Sequence, residues 1–550
     1  MDRKVLKERH SNFGIGRYSV RRLGPLKTFS TVLALMTSVA IVPVAAGADT
    51  TSVRYAVETP GVESMLFWRT PGNFPLPHMQ FLVGQDAETG AYDDSGLARA
   101  WEHNEDFTEW TIHLHENAEW HNDWGPVTAA DIVHSLELGT GDDAILSGLE
   151  RINHATAEAI DDHTVVFRLE RPEAEFLFAH GLRGALQIYS KAQYDAEGLD
   201  GYRTQPTGTG QFRLVEYNEG QGAVFEAVED HWSGNSAQID QLELVFVDEP
   251  ATRYAMIASG DVDATNLPLE LQAAAEGRGL NIISSQNIAM QTTWLFWGAY
   301  IDHPNEDLAW QDRAIRQAAA LSVNWDDVNA IVYDGRADRI TAFGMHEAHE
   351  GWNDDLVERF DEYYGYDPER AREILAEAGY PENFNNPTIP VLSTTLAGNP
   401  EFPTLAEYME SAFSAVGLQA EIREMAYARH NELRQTFSTD YTMPMRNLPV
   451  RITEAMVSTF YSEDASPVHT YSSEEFEEVY QEYRQTFEPE ERDRLAQELF
   501  QIAFDDYATI PLAGITFNVV VNPDVVSDWV FPGASSMGVS HWQNIVPASQ

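Results

Sequence analysis

The chain has no cysteine in 550 residues. Disulfides and thiolate metal sites are therefore excluded, as are a cysteine nucleophile and a lipid anchor attached to an amino-terminal cysteine. Positive charge is scarce: 35 Lys and Arg stand against 87 Asp and Glu, a net charge of −52. That balance argues against nucleic acid and anionic membranes as partners. Beyond residue 48, Lys191 is the only lysine.

Long hydrophobic runs are missing as well, except at the start. Residues 1–27 carry eight basic and two acidic residues, Phe29 to Ala46 is apolar with small hydroxyl residues mixed in, and Ala46-Gly47-Ala48 is an A-x-A site. This pattern predicts a signal peptide over residues 1–48. The embedded serines, threonines and Pro43 weigh against a membrane anchor. Arg21-Arg22 raises the twin-arginine route, although Leu23-Gly24-Pro25 continues it poorly. The expected product is exported, periplasmic or extracellular, and not a lipoprotein. It would retain 27 basic and 85 acidic residues, a charge of −58. Concentrated salt screens such self-repulsion, because the Debye length shrinks to about 3 Å near 1 M. A carboxylate-rich surface with almost no lysine therefore reads as that of a halophilic protein.

Catalytic and metal signatures are thin. No GxSxG occurs, and Gly208-Thr209-Gly210 lacks the P-loop pattern. His346-Glu347-Ala348-His349-Glu350 resembles a zinc-protease string, but the second histidine must stand at i+4, where Glu350 is. A solvated loop is expected there. His113 and His115 share a strand face with His121 near in sequence, and polar alternation on an exposed face explains them better than a metal site. Asp261 and Asp263 read as a turn rather than a calcium loop. No cofactor and no metal are expected.

The elements that are legible mix strands and helices. Trp110, Ile112 and Leu114 alternate with Thr111, His113 and His115, the period of a half-buried strand. Val165, Phe167 and Leu169 repeat the pattern, as do Leu242, Leu244 and Phe246. Thr128-x-x-Asp131 is a capping box opening a helix that carries Ile132, Val133 and Leu136. Asp367-Pro368 starts another helix and Gly379 stops it, with Ala371, Ile374, Leu375 and Ala378 on its apolar face. Helices are also expected over 404–417 and from Pro489. A chain of this length builds at least two cores, since one core rarely grows past about 250–300 residues.

Several of these segments follow a known order. Leu97-Ala98 with Trp101, then Trp120-His121-Asn122-Asp123, then Val127-Thr128-Ala129-Ala130-Asp131 resemble the signature of family 5 extracellular solute-binding proteins. Those are the receptors of peptide, nickel and related ABC importers. Pro206 to Phe212 resembles the family's P-x-G-T-G-P-Y turn. His231-Trp232-Ser233-Gly234, Ser259-Gly260-Asp261-Val262-Asp263, Asp312 to Ala318, Tyr366 to Tyr380 and Ile510-Pro511-Leu512 continue the likeness toward the carboxyl end. The resemblance implies an α/β, two-lobed periplasmic binding protein-like fold (type II, cluster C). A subdomain is inserted in lobe I, and a hinge joins the lobes. Transferred here, lobe I takes 49–88, 205–298 and 512–550, the inserted subdomain 89–204, and lobe II 299–511.

It also implies a non-enzymatic receptor, monomeric, that captures a peptide or small-molecule ligand and presents it to ABC permease subunits at the membrane. The chain departs from the family at the cleft. Peptide-binding relatives present an acid to the ligand's α-ammonium in a stretch matching 440–451, but no acid follows Asp440 here before Glu454. Arg446 and Arg451, with Asn447 beside the first, stand there instead. Arginine's planar fork suits carboxylate or phosphate, so an anionic solute is expected as readily as a peptide. Surface ion pairing is the plain alternative for both arginines. Trp68, Trp294 and Trp297 are candidates for the cleft wall, with core packing as the alternative. Nickel, opine or oligosaccharide binding within the class, and an exported hydrolase, sensor or chaperone outside it, remain open at this point.

Overall fold

A computed structural model describes residues 51–549 apart from 60–64, 70–75, 145–151, 153, 175, 182–185, 301–302, 304–306, 348, 397–398, 448–452, 454–456, 458–460, 462–469, 487 and 534–538. Residues 1–48, where a signal peptide is expected, and Arg451 lie outside the described residues. Among the described residues, no helix is long and apolar enough to cross a membrane.

Among the described residues there are eighteen strands. They are β1 Ser52–Val57, β2 Gly84–Gln85, β3 Tyr92–Asp93, β4 Ala98–His103, β5 Glu109–Leu114, β6 Ala155–Asp161, β7 Thr164–Leu169, β8 Phe212–Asn218, β9 Gly222–Ala227, β10 Gln241–Phe246, β11 Ala264–Asn266, β12 Asn281–Phe296, β13 Thr388–Ser393, β14 Gln419–Glu424, β15 Thr442–Asn447, β16 Thr509–Val521, β17 Val526–Trp529 and β18 Ile545–Pro547. Ten form one mixed sheet, ordered β14-β13-β15-β12-β16-β11-β1-β10-β9-β8.

The centre of that sheet holds two long antiparallel strands. β12 and β16 pair along most of their lengths, and their register shifts between Ser284 and Thr293. On one side of this irregular stretch β16 pairs with β11 through Val519–Val521. On the other, β12 pairs with β15 through Gln291–Phe296. The same two strands thus serve both ends of the sheet.

The apolar side chains collect accordingly. One large core runs from Trp294 to Ile515 and is packed by helices such as Phe402–Val416, which buries Leu405, Ala406, Met409 and Phe413. A second core lies at the other end, among β1, β8–β10 and the carboxyl-terminal aromatics Trp529, Phe531 and Trp542. A smaller one sits beside it around Ile257 and Val262. A fourth, from Leu66 to Tyr202, packs the separate sheet β4-β5-β7-β6 against the helix Ala129–Thr140. In that sheet Trp110, Ile112 and Leu114 are buried.

Local chemistry explains the recurring motifs. Asp131 accepts from the Thr128 N–H at 2.8 Å and hydroxyl at 3.1 Å, and also from the Lys191 N–H at 2.7 Å. It therefore ties two helix starts together. Asp367 caps its helix by accepting from the Arg370 N–H, and Gly379 ends it in a left-handed conformation at φ 71°. Arg316 is buried and donates to the Trp310, Gln311 and Asp506 carbonyls while pairing with the Asp506 carboxylate at 2.6 Å. Gly208 is required by a close approach: a Cβ there would lie 1.8 Å from the His78 carbonyl oxygen. That same carbonyl accepts from the Thr209 and Gly210 N–H groups.

Candidate functional site

Ligands of open α/β sheets bind outside the carboxyl ends of the parallel strands. In the Trp294–Ile515 half those ends belong to β13 and β15, which run parallel with Val391 opposite Thr442. Arg446 stands near the carboxyl end of β15, in register with Thr292 of β12. The segment after β13 returns through Asn399 and Glu401 into the helix Phe402–Val416.

Here the two segments meet. The Arg446 guanidinium lies 3.5 Å from Glu401 Oε1 and donates to Asn399 Oδ1 at 3.4 Å. Both side chains are mostly buried, at 17% and 10% exposure. Glu401 occupies the cap position of its helix, where the macrodipole favours a negative charge. Burial nevertheless pushes its carboxyl above the usual range, and Arg446 opposes that shift. Glu401 Oε1 has no hydrogen-bond partner among the described residues, while the Tyr333 hydroxyl and the Thr292 side chain lie close enough to interact with each other. Tyr333 senses both charges: burial raises its phenol first, Glu401 adds to the rise and Arg446 lowers it. Buried polar atoms are normally paired, so the unpaired Glu401 oxygen beside Arg446 can take a polar contact from elsewhere.

The sequence pointed to Arg446 but missed Glu401, Tyr333 and Thr292. One signal was available: Glu401-Phe402-Pro403 places an acid just ahead of a helix-starting proline. Asp440 does not fill the acid's role at this edge. It precedes β15, at the opposite end from Arg446, and pairs with Arg423 of β14 at 2.6 Å.

The three tryptophans are distributed differently. Trp68 is 4% exposed in the Leu66–Tyr202 core, edge-on to Tyr189 and Tyr202 with ring centroids 4.9 and 6.2 Å away. Trp294 is buried two residues along β12 from Thr292, edge-on to Phe413. Trp297 lies just past the far end of β12 against His430. Five residues separate it from Thr292, about 16 Å along an extended strand. The structure therefore brings Trp294 toward Arg446, and Trp68 and Trp297 elsewhere. Asn447 pairs with Gln291 through the backbone.

Two histidine expectations need correction. His346 and His349 are not in a solvated loop: His346 is 8% exposed, and their rings lie 5.3 Å apart with Tyr92 6.1 Å from His349. Burial holds the His349 pKa down at about 4. His121 does not share an exposed face with His113 and His115. It turns inward, bonds the Gly210 carbonyl at 2.8 Å, and burial lowers it to about 4. Among the described residues, no group of three or more metal-ligating side chains is arranged to hold an ion.

A family model for bacterial extracellular solute-binding proteins, family 5 middle region, matches residues 94–463. The dipeptide-binding protein of Escherichia coli (strain K12) is 25% identical over 485 residues, spanning 82% of this chain and 85% of that one. Among solved structures, HbpA2 from Haemophilus parasuis superposes with a TM-score of 0.72 at 21% identity, over 89% of this chain and 99% of that chain. The periplasmic binding protein DppA from Helicobacter pylori, in complex with the peptide STSA, gives 0.64 at 19% identity, over 91% and 98%. The sheet with its two central long strands is thus the fold of two-lobed periplasmic binding proteins, and the class is a solute receptor rather than an enzyme. The chain belongs to family 5 of the bacterial extracellular solute-binding proteins, which serve ABC importers.

Proposed function

We propose that this receptor captures one small dipolar solute, peptide or amino-acid derivative, between its lobes and delivers it to ABC permease subunits. The Arg446–Glu401 pair carries the reading. Arg446 alone would favour an anion, but a carboxylate within 3.5 Å balances it. The pair offers one group to a ligand carboxylate and another to a ligand ammonium. Tyr333, which feels both charges, and Thr292, opposite Arg446 on β12, supply neutral hydroxyls beside it. An acid expected on the segment after Asp440 is thereby supplied from the segment before the helix Phe402–Val416. The peptide STSA held by the Helicobacter pylori neighbour is a ligand of this dipolar kind. Lobe I is taken as 49–88, 205–298 and 512–550, the inserted subdomain as 89–204 and lobe II as 299–511, so that the chain passes between lobes just after β12 and near the start of β16, and these two passages act as the hinge.

Native mass spectrometry of retained ligand, followed by calorimetry, tests this. A charge-assisted hydrogen bond is worth about 1.5–3 kcal/mol, so Arg446→Ala should weaken binding by about one to two orders of magnitude. Glu401→Gln should weaken a zwitterion and leave a purely anionic analogue unharmed. If both variants bind the retained ligand as the parent does, the pair is not the ligand site. If Glu401→Gln strengthens an anion while a zwitterion never binds, the anionic-solute reading replaces the dipolar one.

A further inference from the structure

Two parts of the chain built on different cores meet through a ring contact. Tyr92, on β3, is partly buried against the Leu66–Tyr202 core. His349 follows the segment 343–345, whose Phe343 and Met345 are buried in the Trp294–Ile515 core. The Tyr92 and His349 rings stand 6.1 Å apart, inclined at 59°. That separation lies within the range of favourable aromatic pairs. His346 backs His349 at 5.3 Å, and the His349 N–H donates to the His346 carbonyl at 3.0 Å. Burial first, and then His346, hold the His349 imidazole down at about 4. At pH 7 the contact is therefore one between uncharged rings.

Each side of the contact is anchored. β2 and β3 pair as a hairpin. The Gln85 carbonyl of that hairpin lies 2.7 Å from His541 Nε2, and its Glu88 carbonyl accepts from Asn287 Nδ2 at 3.0 Å. On the other side, Gln291 grips the loop that leads to the histidines. Its Oε1 accepts from the Gly344 N–H at 2.7 Å, and its Nε2 donates to the Met345 carbonyl at 2.9 Å. Glu350, next to His349, pairs with Arg492 at 3.1 Å, and its carbonyl accepts from the Thr453 hydroxyl at 2.6 Å. Asn287 and Gln291 both belong to β12. Contacts thus run in a closed circuit over that stretch of β12: Asn287 to Glu88, along the hairpin to Tyr92, across to His349, and back through Met345 to Gln291.

We propose that Tyr92 and His349 form an interlobe latch. Their rings meet when the receptor closes over the Asn287–Gln291 stretch of β12, and they part when it opens to exchange solute. Hairpin and loop are each fixed to their own half, so the rings come into register only when the halves are closed together. An aromatic pair shifts an equilibrium by about two- to tenfold, so the latch favours closure without preventing opening. The proposal rests on the two-lobed reading with its hinge, and not on the Arg446–Glu401 pair.

The absence of cysteine makes a distance measurement clean. Spin labels at Glu105→Cys and Glu358→Cys, both exposed positions, report on the inserted subdomain and on the helix Asp354–Tyr364. Pulsed dipolar spectroscopy is run on the mature protein after exhaustive dialysis, in constant molar salt. The parent should show a short separation that dominates a longer one. Tyr92→Ala and His349→Ala should each lower the short-to-long ratio by about two- to tenfold. The double variant should lose no more than the larger single loss, because both remove one contact. Tyr92→Phe, which keeps the ring, should hold the parent ratio. Two separations whose ratio is the same in the parent and both alanine variants would overturn the latch and leave the hinge standing. Losses that simply add in the double variant would overturn it too. One fixed separation in every protein would overturn the latch and the hinge together.

Discussion

Removing Arg446 should expose what Glu401 costs. Glu401 is 10% exposed and its Oε1 has no hydrogen-bond partner among the described residues, so the nearby guanidinium is its main compensation there. Breaking a buried ion pair by deleting one partner typically costs about 3–5 kcal/mol. Arg446 retains 17% exposure and lies 3.5 Å away, so about 2–4 kcal/mol is expected for Arg446→Ala at pH 7. For a unit of about 500 residues the unfolding entropy makes 1 kcal/mol worth about 1 °C, so the melting midpoint should fall by about 2–4 °C. The pH dependence gives the sharper test. Burial already raises the Glu401 carboxyl above its ordinary 4.5, and Arg446 opposes the rise. Without Arg446 the folded pKa climbs further. An acid whose folded pKa is raised destabilises the fold fully above that pKa, and the penalty vanishes as pH falls below the unfolded value. The stability gap between parent and Arg446→Ala should therefore be widest at neutral pH and close on acidification through Glu401's raised pKa. Adding Glu401→Gln to Arg446→Ala should recover most of the loss at pH 7 and flatten its pH dependence. Melts of the three proteins across pH 3–8 in constant molar salt would decide. A gap that does not change with pH, or a double variant no better than Arg446→Ala, would refute the reasoning.

Three further outcomes are expected. Intact-mass measurement of the exported protein should show processing after Ala48 and no lipid; retention of residues 1–48 would sink that reading. The melting midpoint should rise from dilute to molar salt, because 85 acidic residues face 27 basic ones after residue 48; a flat or falling series would contradict it. Gly208→Ala should cost about 3 kcal/mol or more, since its Cβ would meet the His78 carbonyl at 1.8 Å and backbone must move to relieve the contact; a parent-like midpoint would show that the turn yields easily.

Periodicity made the strands and helices readable where one face is buried and the other is wet. β5 shows this: its alternate residues Trp110, Ile112 and Leu114 are covered while Thr111 and His113 are not. Caps were equally legible, because Thr128–Asp131 and Asp367–Arg370 satisfy helix ends within four residues of sequence. The meeting of Arg446 with Glu401 was not legible. The two are 45 positions apart, and only the parallel pairing of β13 with β15 brings their carboxyl ends to one edge. The histidines failed for a related reason. His121 stands in a polar-looking string, yet the Gly210 carbonyl and the turn around Gly208 draw it inward. Side-chain type indicates what a residue can bond, whereas the partner's location is a property of the whole sheet.

The Arg446 edge also bears on how ligand preference can shift in such a receptor without rebuilding its fold. The acid of peptide-binding relatives is expected within the stretch matching 440–451, whereas Glu401 stands after β13, and β13 and β15 are parallel neighbours. A carboxylate beside a guanidinium on β15 can therefore come from either segment. What changes is its surroundings. Glu401 stands at a helix cap position and is close enough to Tyr333 to act on its titration. Its charge is then conditional on a cationic partner, because burial alone favours the protonated form. A ligand ammonium would supply a second such partner and pull the Glu401 pKa down, releasing a proton when pH is near that pKa. Binding of a zwitterion should accordingly weaken as pH falls through the raised pKa of Glu401, while binding of a simple anion to Arg446 should strengthen there. Calorimetry in two buffers of different ionisation enthalpy would register the proton release. A dipolar ligand whose binding shows neither proton release nor weakening on acidification would mean that its ammonium does not meet Glu401.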